Sequence, residues 1–486
     1  MLPHFILSLH DPPLISNMDM TESSPLVFPF SNTNARKDLK TKVIRKYLRE
    51  NDLRVLSVLG ASHFGFVNNK LRWQCWYKLL RGQLVVEDTS SKLSGKDTTH
   101  VDETQCQLDV NRSFGFIEEN DVKQQLRAIL MGIMVAFFRK YPELRYYQGY
   151  HDIVAVFVMV FIYDEETKTL ITSRVPKHDE YTESKLFRCV EIFSLMYLRD
   201  FMMDSLDFPI DQLSVISYLV RERDEALYKK LNLGKMKPLF AISSILTIYS
   251  HDLKPTPLDD TGSLIYEIFD LVISTNSMLI PLTIYSQFIV DNSEDLQRQY
   301  KLNIENFDNE VDLVHAIVQK VLLLDSKQSE CSEKKRSWEL LLDEVRKHSA
   351  FNRKTYKVVS KLVNKGSPLL TTASGRPVTK IYDSNDIHEL IQKQLQINAD
   401  RASNPPSDAS FIRIISKRLL RKEGSTGAMY GASILVGVAG IILYQLQQGE
   451  HSLETTFGIL DNLKRLPPVG YLWKIGTGIA RSYREG

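Results

Sequence analysis

The sequence predicts an all-α protein that ends in one membrane-crossing helix, and three observations carry that prediction. Apolar residues recur at helical spacing through most of the first 325 residues. No alternating strand blocks and no Asn-Gly hairpin signals interrupt them. From Gly424 to Gly449 there is not one charged residue, as expected of a segment that leaves water.

Taken in order, residues 1–35 carry Pro3, Pro12, Pro13, Pro25 and Pro29 but no basic leader and no unbroken apolar core. They read as a disordered or loosely docked arm rather than a signal peptide. Lys37 to Glu50 is a basic amphipathic helix. Asp121 to Lys140 sets Leu126, Ile129, Leu130, Ile133, Met134, Phe137 and Phe138 on one face, and Pro142 ends the pattern. Ile153 to Tyr163 is uncharged yet too short to span a bilayer, so it is expected as a buried core helix. Further helical patterns cover Lys185 to Phe201, Gln212 to Leu231, Lys237 to Ser250, Gly262 to Ser274, Met278 to Asp291 and Glu310 to Leu324. Polar breaks fall at Glu87 to Thr104, Asp164 to Tyr181 and Asp325 to Arg336.

Residues 326–410 are expected to be a helical or flexible connector that closes on the linker Asn404-Pro-Pro-Ser-Asp-Ala-Ser410. A basic juxtamembrane segment, 411–427, holds Arg413, Lys417, Arg418, Arg421 and Lys422. Ala428 to Leu446 then forms the predicted span; at about 1.5 Å per residue it covers about 28 Å, close to the hydrocarbon thickness of a bilayer. The basic flank places everything before the span in the cytosol and the tail, 447–486, across the membrane. The same cations suit anionic head groups of the lipid bilayer. Gly427 with Gly431, and Ser433 with Gly437, allow a weak transmembrane dimer.

Composition excludes several classes of function. With 43% hydrophobic and 25% charged residues the chain has material for a sizeable core. Lys and Arg number 61 against 59 Asp and Glu, which makes no electrostatic case for nucleic acid. Cys75, Cys106, Cys189 and Cys331 form no Cys-x-x-Cys pair, so neither a disulfide scaffold nor a zinc site is expected. His151 and His251 lack ligand partners at helical spacing, and no metal site is predicted. Gly60-Ala-Ser-His-Phe-Gly65 has the glycine spacing of a phosphate loop, but Phe66 and Val67 stand where Lys and Ser or Thr are required. The chain is not expected to hold a nucleotide of its own.

Three strings are informative together: Leu71-Arg72-Trp73-Gln74-Cys75-Trp76, Leu108-Asp109-Val110-Asn111-Arg112 and Arg145-Tyr146-Tyr147-Gln148-Gly149-Tyr150-His151-Asp152-Ile153. In this order, on a helical background, they resemble the TBC domain of Rab GTPase-activating proteins, whose Arg-x-x-x-Trp, Asp-x-x-Arg and Tyr-x-Gln-Gly motifs match Arg72/Trp76, Asp109/Arg112 and Tyr146/Gln148/Gly149. The resemblance covers roughly residues 40 to 325 and implies a two-lobed helical domain over 36–325. The full Tyr-Tyr-Gln-Gly-Tyr-His-Asp-Ile string and the C-terminal span look most like the membrane-anchored, endoplasmic-reticulum branch of the family.

The resemblance implies that Arg112 is an arginine finger and Gln148 a glutamine finger. Both would act on the GTP and Mg²⁺ bound to a Rab-family GTPase, so the chain needs no cofactor of its own and is an activator, not itself a nucleotide hydrolase. Arg112 suits that role because its guanidinium is always charged and forked, and an arginine supplied in trans is worth about 10³ to 10⁵ in rate. Asp109, three residues earlier, would share a helix face with Arg112 and orient it. Tyr146 and Gly149 support the site, Gly149 as the residue of a tight turn; Tyr146 and Tyr147 fit core or interface equally. Arg72 and Trp76 read as scaffold, packed on each other as a cation–π pair.

Two departures stand out. Cys106 replaces the isoleucine that usually opens the Asp-x-x-Arg string, and Leu239 to Leu253 lacks the family's tryptophan. The implied function is activation of a Rab of ER-to-Golgi transport from the endoplasmic reticulum membrane; the alternative is a catalytically silent, membrane-anchored tether that binds a Rab.

Overall fold

The computed structural model describes residues 33–85, 99–177, 181–235, 237–253, 264–303, 314, 317–318, 331–348, 352–372 and 381–403. Helix α1 (Thr33–Glu50) turns into α2 (Leu53–Ala61) where Asn51 takes a φ of 56° and the Asp52 carboxylate caps α2 by accepting from the Arg54 and Val55 amides. Asn68 caps α3 (Asn69–Arg81) in the same way. The short α4 (Glu103–Val110) precedes α5 (Asn120–Lys140), α6 (Tyr150–Ile162) and α7 (Lys185–Tyr197), the last capped by Ser184. Next come α8 (Asp207–Arg223), α9 (Glu225–Lys230), α10 (Ile242–Leu246), α11 (Leu264–Thr275), α12 (Leu279–Asp291) and α13 (Ser293–Asn303). The C-terminal helices are α14 (Cys331–His348), α15 (Arg353–Leu362), α16 (Pro368–Thr371) and α17 (Ser384–Ser403).

The helical periods explain how these pack. In α5 the buried residues are the seven apolar ones that the spacing picks out, Leu126 through Phe138. In α6 every residue but Ala155 is buried; beyond His151 and Asp152 in its first turn the helix is apolar all round, so it has no solvent face and takes the centre of the fold. Phe157 of α6 lies 5.1 Å from Trp76 of α3, 5.1 Å from Phe193 of α7 and 5.9 Å from Phe269 of α11, ring centre to ring centre. Around it α11 packs on α2 and α3, while α8 packs on α12, and α12 on α14. The buried side chains form one continuous core.

Within that core Asp270 of α11 is a polar hub. Its carboxylate accepts from Arg72 Nε (3.0 Å to either oxygen), Trp76 Nε1 (2.7 Å) and the Phe66 amide (2.8 Å). A charge buried this deeply is tolerable only when paired and fully hydrogen-bonded. The expected Arg72–Trp76 cation–π contact is not what forms: the Arg72 guanidinium lies over the Tyr266 ring at 5.1 Å, and Trp76 turns its N–H to the carboxylate that Arg72 also binds. The glycine-spaced loop is equally far from a phosphate cradle. Its Ser62 and His63 carbonyls accept from the buried Lys40 ammonium, at 3.4 and 2.6 Å.

Several boundaries differ from the sequence pattern. Gln212 to Leu231 is two helices, because Asp224 ends α8 and caps α9. Lys237 to Ser250 holds one 3₁₀ turn and the short α10 before Ile248 and Tyr249 take φ values of 47° and 65°. Glu310 to Leu324 lies almost wholly outside the described residues, with Val314, Ile317 and Val318 helical. Short strands occur as well: Tyr163–Asp164 pairs antiparallel with Thr169–Leu170, and Leu84–Val85 pairs parallel with Tyr382–Asp383.

That last pairing shows that the described part of the expected connector belongs to the domain. Arg199, buried just past α7, donates to Gln394 Oε1 (3.0 Å), the Gly366 carbonyl (2.9 Å) and Thr371 Oγ1 (3.1 Å). Its neighbour Asp200 accepts from Gln212 (2.6 Å), Asn364 (3.0 Å) and Gln394 (2.5 Å). Asn364 in a loop and Gln212 and Gln394 in the interiors of α8 and α17 help satisfy this hub, and none of them stands out by hydropathy. The arm to residue 32, the basic segment with Arg413, Lys417, Arg418, Arg421 and Lys422, the predicted span and the tail lie outside the described residues. Among the described residues no helix is long and apolar enough to cross a membrane.

Candidate functional site

Helix α4 stops at Val110, and Arg112 follows it in a turn rather than on its face. The chain is brought round by the Arg112 and Ser113 amides, which donate to the Asp109 and Val110 carbonyls, and by Phe114, buried with a φ of 58°. The expected Asp109–Arg112 pairing holds despite the changed geometry: Nη2 of Arg112 lies 2.5 Å from Oδ1 of Asp109. The two ends of the pair sit in different surroundings. The Asp109 side chain is 1% exposed and that of Arg112 is 32% exposed. Arg112 Nε is buried without a hydrogen-bond partner, so one donor of the fork is unused. Cys106, in the isoleucine position, is buried as a small core residue.

The second oxygen of Asp109 accepts a short hydrogen bond from the Tyr146 hydroxyl. Burial first, and then the Asp109 charge, hold the Tyr146 phenol well above its ordinary pKa, so it keeps its proton and donates it. Tyr146 is itself fixed by its amide, which donates to Asp102 Oδ2 at 3.0 Å. One buried carboxylate therefore joins the Asp-x-x-Arg turn to the Tyr-x-Gln-Gly turn, two strings more than thirty residues apart.

Gln148 is exposed, in the turn between buried Tyr147 and Gly149. Gly149 has a φ of 107°, a conformation closed to most L-residues, and a Cβ there would come within 2.6 Å of Thr247 Cγ2. The glycine is thus required twice, by its backbone and by the close approach of the chain beyond α10. Tyr147 belongs to the core, against Phe201 and Tyr150, with its hydroxyl unpartnered. Arg72 and Trp76 are in the separate Asp270 hub.

Two residues that sequence reasoning set aside as unconnected histidines enter this network. His151 Nδ1 lies 3.0 Å from the Tyr146 hydroxyl, and His251 Nδ1 lies 3.0 Å from Asp152 Oδ2. A separation of a hundred residues hides such a pairing from any local pattern.

Comparison with known proteins agrees with this frame. The family model of the Rab-GTPase-TBC domain matches residues 69–297, the stretch that contains both turns and the Arg72, Trp76 and Asp270 side chains. The chain is 38% identical to the GTPase-activating protein GYP8 of Saccharomyces cerevisiae over 419 residues, which is 85% of this chain and 82% of that protein. It is 27% identical to the GTPase-activating protein gyp10 of Schizosaccharomyces pombe over 53% of this chain and 61% of that one. Against human TBC1 domain family member 20 the identity is 28%, over 45% of this chain and 51% of that protein. The chain belongs to the Rab-GTPase-TBC domain family of Rab GTPase-activating proteins, in the branch that includes TBC1 domain family member 20.

Proposed function

We propose that this protein accelerates GTP hydrolysis by a Rab-family GTPase of ER-to-Golgi transport, supplying Arg112 and Gln148 in trans to the GTP-bound partner. The observation that carries the reading is the Asp109–Tyr146 link, which ties a half-exposed guanidinium to the turn that exposes Gln148. Asp109 holds one end of the guanidinium, and the remaining donors meet the phosphoryl oxygens as negative charge builds on them. Stabilising that charge is worth about 10³ to 10⁵ in rate, or about 4 to 7 kcal/mol of barrier. The Gln148 carboxamide accepts a hydrogen bond from the attacking water and donates another to the partner, which takes over the positioning of that water. GTP and its Mg²⁺ are the partner's.

The reading extends to the membrane. The uncharged run 428–446 anchors the chain in the endoplasmic reticulum as a single span, with the basic flank and the catalytic domain on the cytosolic side, where Rab proteins work. Tethering both proteins to one surface raises their effective concentration.

Single-turnover hydrolysis by a panel of GTP-loaded Rab proteins tests the catalytic part. The wild-type chain is expected to accelerate at least one of them, and Arg112→Ala and Gln148→Ala to lose most of that acceleration. Equal rates from all three proteins would end the catalytic reading. An N-glycosylation acceptor appended to the tail is expected to be modified in microsomes; an unmodified tail would reverse the orientation.

A further inference from the structure

The Tyr146 hydroxyl has a single proton, and that proton goes to Asp109 Oδ2. Toward any other neighbour the hydroxyl can act only as an acceptor. His151 Nδ1 lies 3.0 Å from it, so the hydrogen bond exists only if Nδ1 carries the proton, and the geometry selects that tautomer. His151 stands on the first turn of α6, 3% exposed. Its Nε2 faces Asp152 Oδ2 at 3.7 Å, and His251 Nδ1 holds the same Asp152 oxygen at 3.0 Å. A chain of hydrogen bonds therefore runs from Arg112 through Asp109 and Tyr146 to His151, with the Asp152–His251 pair beside it. An apolar side chain of similar volume at position 151 could not supply the Nδ1–H donor.

We propose that His151 is a positioning residue for the arginine finger: its Nδ1–H fixes the Tyr146 hydroxyl, which sets the plane of the Asp109 carboxylate that presents Oδ1 to Arg112. Without that donor the Tyr146 hydroxyl keeps only its bond to Asp109, the phenol and the carboxylate can shift together, and the guanidinium is less firmly aimed before the partner arrives. The loss falls on the chemical step, because preorganised donors matter most where charge develops. This inference rests on the catalytic reading of Arg112.

The test uses the full chain in detergent with a Rab protein that it accelerates, at increasing activator concentration, so that the saturating rate separates from the half-saturating concentration. His151→Leu removes the donor and keeps much of the volume. It is expected to lower the saturating rate on the order of 10- to 100-fold, the effect of a small misplacement at a reacting centre, with the half-saturating concentration unchanged. His151→Asn, whose amide nitrogen falls near the Nδ1 position, is expected to recover most of the rate; His151→Gln, whose amide reaches toward Nε2 instead, is not. Affinity for the Rab bound to GDP and aluminium fluoride should fall in proportion for His151→Leu, while affinity for the form bound to a non-hydrolysable GTP analogue should not. If His151→Leu does not fold, the contrast between Asn and Gln decides.

A wild-type rate in His151→Leu, equal losses in Asn and Gln, or a loss confined to the half-saturating concentration would each overturn the positioning role. If Arg112→Ala is inactive while His151→Leu matches wild type, only this inference falls; if wild type accelerates no Rab, the catalytic reading falls and takes this inference with it.

Discussion

Two arginine–aspartate pairs in this protein are built from the same parts and differ in what surrounds them. Arg72 with Asp270 and Arg112 with Asp109 each add an aromatic donor on the carboxylate, Trp76 in one and Tyr146 in the other. Asp270 and Asp109 are equally buried, but Arg72 is 1% exposed and stacked on Tyr266, whereas Arg112 sits half-open at the end of a short helix with one N–H unused. The first pair has spent its donors on holding α3 to α11. The second holds its arginine by one end and leaves the rest of the side chain partly open to solvent. The two pairs differ in exposure, not in residue type.

Substitutions at each pair test that contrast. The largest effect is expected from Arg112→Lys, which keeps the charge for Asp109 but cannot reproduce the forked contact. Single-turnover acceleration should drop by about 10³ or more, with the thermal midpoint unchanged. A rate within tenfold of wild type would mean that charge alone suffices. Asp270→Asn should do the reverse. It leaves the Arg72 cation buried without its partner, so urea denaturation should show a loss of about 3 to 5 kcal/mol, with the hydrolysis rate per folded molecule unaffected. A small loss, or a catalytic defect at full folding, would erase the distinction between the pairs. The smallest effect is expected at the turn that carries Gln148. Gly149→Ala must strain a φ of 107° and displace Thr247, costing about 1 to 3 kcal/mol in denaturation together with part of the acceleration. Neutrality in both measurements would show that the turn does not hold Gln148.

What the sequence made legible follows the range of the signal. Helix α5 was readable because seven apolar residues repeat at helical spacing, and α6 because an uncharged run too short for a membrane has only the core left to it. Arg112 and Gln148 stand in motif strings, but the joint between those strings is not legible: nothing in the spacing of Asp109 and Tyr146 shows that they share a hydrogen bond. Asp270 had a faint signal, an acid set between Phe269 and Leu271 in a mostly apolar helix, which marks a charge that must find a partner inside. The docking of 331–403 had none, since Asn364, Ser367 and Gln394 are ordinary loop and surface residue types until Arg199 and Asp200 are buried against them. Likewise His151 and His251 become neighbours of one carboxylate only through the fold.

The central claim is that the guanidinium tethered by Asp109 and the carboxamide ahead of Gly149 work together on another protein's nucleotide. It is tested most directly by a crystal structure of this domain with a Rab protein trapped on GDP and aluminium fluoride. Arg112 is expected within hydrogen-bonding distance of the fluoride equatorial to the attacked centre, still held by Asp109, with Gln148 against the water in line. A complex in which both side chains lie outside the nucleotide pocket would contradict it.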